Sequence, residues 1–215
     1  SGATRSYKFD INTASGFFGD GSDGSLTISS NTTEAPIDSA ATATSGSTSI
    51  TATNASFAAG QQILLHQTQG TNAGTQQRLT IQTYTAGTIT TVEAINANYT
   101  TGAQVRVLKQ YTNVTINGGV TYTAKAWDGT VGGILAFIAS GTITVTGTIS
   151  GNSAGFRGSI PGNGPNMGGE GPSGKGGFNG VDGSYPSGGG GQSGQSSISA
   201  GGGGGGHATA GANSS

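Results

Sequence analysis

Apolar and polar residues alternate with a period of two through most of the first 150 residues. Residues 6–11 place Tyr7, Phe9 and Ile11 on one side and Ser6, Lys8 and Asp10 on the other, which predicts a half-buried strand. Leu26 and Ile28 repeat the pattern around Thr27, and Leu79 and Ile81 around Thr80. Residues 63–66 form a short apolar run, and residues 89–95 resume after an Ala86-Gly87 turn. Val105 and Val107 alternate with Arg106 and Leu108. Val114 and Ile116 lead into Asn117-Gly118, a tight-turn dipeptide, after which Val120 and Tyr122 continue. Residues 134–138 are apolar on both faces, which predicts a central buried strand. Ile143, Val145 and Ile149 alternate with threonines.

No window carries the i, i+3, i+4, i+7 apolar stripe of an amphipathic helix, and the abundant threonine favours strands. Short strands punctuated by Gly, Asn and Ser predict an all-β sandwich or jelly-roll-like domain, or a similar barrel, over residues 25–150. A β-solenoid is the rival architecture, and the lack of a fixed repeat period across residues 1–150 speaks against it. Residues 1–24 read as an N-terminal strand arm followed by a Gly-rich spacer.

Composition changes near residue 151: of 43 glycines, 18 precede it and 25 follow. Residues 151–215 hold too few apolar side chains to build an ordinary core, so they read as a glycine-rich extended segment. A flexible linker and a packed polyglycine-II bundle both fit that composition.

Only 8% of residues are charged, with eight Lys and Arg against nine Asp and Glu. Such a surface exerts no pull on nucleic acid or an anionic membrane. There are no cysteines, which removes disulfides, thiolate catalysis and Cys-ligated zinc. No apolar run reaches the ~20 residues of a membrane span.

Candidate chemistry is sparse. Asp20 and Asp23 lie in a Gly-rich turn that could hold Ca²⁺, yet their spacing is not that of an EF-hand and Asp and Gly are ordinary turn residues. His66 sits in a strand with no nucleophile motif to serve. His207 lies among glycines, and Lys175 lacks the strand and helix that a phosphate loop needs. No catalytic residue, metal ligand or cofactor site is assigned. Asn31, Asn54, Asn98, Asn113 and Asn213 each open an Asn-x-Ser/Thr triplet, the acceptor signal for N-glycosylation in a host that uses it.

Several stretches resemble glycine-rich bacterial surface proteins and phage tail-fibre adhesins. They are Gly16-Phe17-Phe18-Gly19-Asp20-Gly21-Ser22-Asp23-Gly24 before Leu26-Thr27-Ile28, Trp127-Asp128-Gly129 with Gly132-Gly133-Ile134, Thr142-Ile143-Thr144-Val145, Gly155-Phe156-Arg157-Gly158, and the six-glycine run before His207. The resemblance implies an extracellular or cell-surface fibrous or adhesive role.

Together these features point to a non-enzymatic structural subunit of an extracellular filament. Copies would assemble head to tail; the N-terminal strand either pairs within its own sheet or is donated, with Tyr7, Phe9 and Ile11 filling pockets on a neighbour. The alternative is a phage or cell-surface adhesin that binds surface glycans through aromatics such as Tyr99, Tyr111 or Trp127.

Overall fold

The computed structural model describes residues 18–156 apart from 55 and 71. The strand expected at 6–11, with Tyr7, Phe9 and Ile11, lies outside the described residues. So do the glycine-rich stretch from 157 onward, Lys175, His207 and Asn213. The described residues contain thirteen strands and no helix. The strands form two assemblies of different kinds.

The first is a closed antiparallel barrel of six strands: β3 (Asp38–Ala43), β4 (Ser49–Ala52), β5 (Gln62–Gln67), β6 (Gln76–Thr85), β7 (Thr88–Thr91) and β8 (Tyr99–Tyr111). Around the barrel the order is β8-β3-β4-β7-β6-β5, and β5 pairs back onto β8. Of the sandwich, jelly roll or similar barrel expected from the sequence, the structure shows a barrel: β5 pairs with β8 and closes one continuous sheet, in place of a sandwich of two sheets. The alternation read from the sequence supplies the interior: Ile50, Ile63, Leu65, Leu79, Ile81, Ile89, Val105 and Val107 all point inward and are buried. The expected Ala86-Gly87 turn joins β6 to β7. Both residues have positive φ (44° and 88°), as a two-residue hairpin with right-handed twist requires.

The second assembly is a parallel stack. β1 (Leu26–Ile28), β9 (Val114–Ile116) and β12 (Ile143–Val145) lie side by side in the order β1-β9-β12. β2 (Thr32–Thr33), β10 (Thr121–Thr123) and β13 (Thr148–Ser150) form a second parallel sheet in the same sequence of layers. On a third side, β11 (Phe137–Ala139) runs parallel to the last three residues of β8. Beside them Asp23 N–H donates to Gln110 O at 2.9 Å. The result is a short solenoid of three rungs.

The register makes columns of like residues: Leu26, Val114 and Ile143; Thr27, Thr115 and Thr144; Ile28, Ile116 and Val145. Ile28, Val114, Ile116 and Tyr122 form its core. Here too the structure corrects the sequence reading. The barrel is inserted between the first rung and the second, so no constant period survives in the chain. Asn117-Gly118 turns a solenoid corner and makes no hairpin, because β9 and β10 each pair with other strands. Residues 134–138, expected as a buried central strand, yield only the half-buried edge strand β11.

β8 serves both assemblies. Its inner face gives Ala103, Val105 and Val107 to the barrel core. Its outer face carries Gln104, Arg106 and Gln110, all buried under the loops of the stack.

Candidate ligand groove on the barrel

Two adjoining hollows lie on the outer surface of β3, β4 and β8. One, of about 400 Å³, is bounded by Ala40, Thr42, Thr51, Thr53, Gln69, Thr101 and the Gly129-Thr130 loop. The other, of about 610 Å³, continues past Thr44, Ser47, Ser49, Asn98 and Thr100. They share Thr42, Thr51 and Thr101, and neither lining contains a charged residue.

Local structure explains the depression. Ala41 pairs with Ala103 and Ala43 with Tyr99, so three residues of β8 oppose the single Thr42. This bulge turns Thr100 and Thr101 outward. Gly102 sits within it at φ 95°, and a Cβ there would come within 2.9 Å of the Gln69 Cβ. Fully buried Gln67 holds the bulge from inside: its Nε2 donates to Gln69 O at 2.6 Å, and its Oε1 accepts from Thr100 N–H at 2.8 Å.

The far wall is the Trp127-Asp128-Gly129 loop. The Asp128 carboxylate accepts from Thr130 N–H (2.8 Å) and Val131 N–H (2.9 Å), and these bonds, Val131's the stronger, hold its pKa below the usual carboxylate range. Gln104 clamps the same loop, donating to Gly132 O at 3.1 Å and accepting from Gly132 N–H at 2.9 Å. Chemically the groove offers hydroxyls and the amides of Gln69 and Asn98 set among threonine methyl groups.

Charge lies elsewhere. Three ion pairs among the described residues join barrel to stack. Arg106, 1% exposed, pairs with Glu34 and donates to Ile134 O. Lys125 meets Asp38 at 2.8 Å, and Lys109 meets Asp23 at 2.6 Å. Burial pushes the Glu34 carboxyl above its ordinary value, against the pull of Arg106.

The residues singled out from sequence are dispersed. Asp23 is bound to Lys109 and Gln110 N–H, while Asp20 accepts from Ser22 N–H at 2.9 Å. The ring nitrogen Nδ1 of His66 lies 2.9 Å from Thr68 Oγ1, its ring stacks on Phe156, and burial lowers its pKa. Tyr99 and Trp127 are buried and Tyr111 half-buried, so the structure overturns the expectation that they stand exposed as sugar platforms. Each is consumed by packing: Trp127 against Phe156, Tyr111 against Phe137, and Tyr99 in the barrel core beside the groove.

Asn31, Asn98 and Asn113 are exposed, and their Oδ1 atoms accept backbone N–H groups of Thr121, Ser45 and Thr142. Asn54 is half-buried, with Nδ2 donating to Asp38 O. The threonines of the groove went unnoticed in the sequence because threonine is spread over the whole chain. The readable signal was its alternation with alanine in residues 40–44.

No protein-family model matches the sequence, and no curated protein matches it. Among solved structures, the chain is similar to the tailspike gp49 of Pseudomonas phage LKA1, with TM-score 0.29 and 11% identity over 48% of this chain and 27% of that one. It is also similar to the gp54 tailspike of Acinetobacter baumannii bacteriophage AP22, solved with A. baumannii capsular saccharide, with TM-score 0.32 and 10% identity over 59% of this chain and 27% of that one. The gp61 tailspike of Pseudomonas phage phi297 gives TM-score 0.31 and 9% identity over 59% and 25%. The chain thus spans about a quarter of the length of these structures, and overlap this slight carries no argument about its activity.

Proposed function

We propose that the chain is a module of an extracellular spike or fibre whose barrel recognises a neutral surface glycan in the threonine-lined groove. The lining of that groove carries the reading. Uncharged hydroxyl and amide groups lie among methyl groups, a mixture that suits a sugar's hydroxyls and C–H faces. Binding is favoured over cleavage because no carboxylate lines either hollow, whereas most glycoside hydrolysis uses two. The described acids have other duties: Glu34, Asp38 and Asp23 in ion pairs, Asp20 and Asp128 in turns, Glu93 with Thr80.

A panel of neutral oligosaccharides, read by NMR shift perturbation, tests this. Binding should perturb the amides of Thr42, Thr51 and Thr101. Thr51→Arg, which fills the shared centre of the groove, should weaken it at least ~10-fold, or about 1.4 kcal/mol. Thr83→Arg, on the exposed face of β6, should not. Binding that survives Thr51→Arg would place the ligand elsewhere.

A further inference from the structure

Among the described residues no strand lies beyond the third rung of the stack. Ile143 is 50% exposed, Val145 45% and Ile149 41%, although each continues a column whose middle member, Val114, Ile116 or Tyr122, is buried. β12 and β13 are edge strands of their sheets. Edges are usually blunted by charge or proline, yet residues 140–150 contain neither. We propose that this rung is an interaction surface for a second copy of the chain. The β1–β2 rung of that copy continues the ladder, with Leu26 beside Ile143, Thr27 beside Thr144 and Ile28 beside Val145.

Three observations select this occupant. β1 and β2 are the edge strands at the opposite end of the same two sheets. In a parallel stack both ends present the same strand direction and the same inward alternation, so the triplet Leu26-Thr27-Ile28 meets Ile143-Thr144-Val145 in the register that already relates each to Val114-Thr115-Ile116. The sequence after residue 156 contains no triplet with large apolar side chains at both flanking positions, such as Leu26-Thr27-Ile28 offers. Such a contact is heterologous and does not close, so repetition yields a filament. The surface is separate from the groove and does not depend on what the groove binds.

The chain has no cysteine, so a Thr27→Cys/Thr144→Cys double variant gives a clean test. Within one molecule the two positions are separated by the second rung, about 10 Å, too far to bridge. Oxidation of the full-length double variant should therefore give a ladder of covalent multimers. Sedimentation of the cysteine-free chain should show association that rises with concentration and is lost in Val145→Lys, with circular dichroism confirming that the variant remains folded. A chain that stays monomeric overturns the proposal. So does association that survives Val145→Lys, or association without the cross-link; if the latter is lost on deleting residues 1–15, a donated N-terminal arm is the occupant instead.

Discussion

The barrel and the stack use the same ingredients, short strands rich in threonine with alternate apolar residues, and reach opposite outcomes. In the barrel, six antiparallel strands close on themselves, and Ile50, Ile63, Leu65 and Ile89 are wholly buried. In the stack, parallel strands add one above another, so each rung is covered only by the next, and the last leaves Ile143 and Val145 exposed. Closure abolishes edges, whereas stacking only moves them to the ends. A closed barrel can therefore offer its outer surface to a ligand, while an open stack offers its end to another strand. β8 joins the two and is buried on both faces, apolar toward the barrel and polar toward the stack.

The largest test of that comparison strikes the join. Arg106→Met leaves the Glu34 carboxylate buried without its cation and should cost about 3–5 kcal/mol in urea unfolding. Arg106→Met combined with Glu34→Met should recover most of the loss, because the unpaired charge is then gone. A small effect of the single variant would mean that the Arg106–Glu34 pair adds little to the join, which the other two ion pairs and packing then hold. Next in size, Leu65→Ala opens a cavity in the sealed barrel and should cost about 2–5 kcal/mol by the same measurement.

A smaller effect comes from pH. Burial lowers the His66 pKa, so the folded state binds its proton later than the unfolded state does. The stabilisation is present above the ordinary value near 6.5 and is lost as pH falls through the lowered folded value. Glu34, raised by burial, contributes the opposite slope, lost as pH rises through its own folded value. The difference between wild type and His66→Gln isolates the histidine: their stability gap should narrow as pH falls below about 6.5 and flatten above it. The smallest effect belongs to the open rung, where Ile143→Ala should shift monomer stability by no more than about 0.5 kcal/mol. A loss comparable to that of Leu65→Ala would show that the rung is covered in the monomer.

Much of the local structure was legible. The alternations at Leu79 and Ile81, at Val105 and Val107, and at Val114 and Ile116 became strands with the expected faces inward, because burial on one side of a pleated strand imposes period two. The three rungs were half-legible: Leu26-Thr27-Ile28, Val114-Thr115-Ile116 and Ile143-Thr144-Val145 are visible repeats. Their spacing is broken by the barrel, so a search for a constant period passes over them. The groove was barely legible: Thr42 alternates with alanine in residues 40–44, but nothing local distinguishes Thr51 or Thr101 from other strand threonines. The aromatics Tyr99 and Trp127 misled because aromatic type alone does not say which face of a strand or loop it occupies.

The sequence by itself determined that this is an all-β protein with a polar surface of few charges, because alternation and composition act on each strand separately. The tertiary structure alone decided which strands are neighbours. Pairing β5 with β8 closed the barrel, and pairing β1 with β9 across 88 positions of chain built the stack. Such long-range pairings depend on matching edges and on burying both faces of β8 at once, conditions that exist only when distant segments meet.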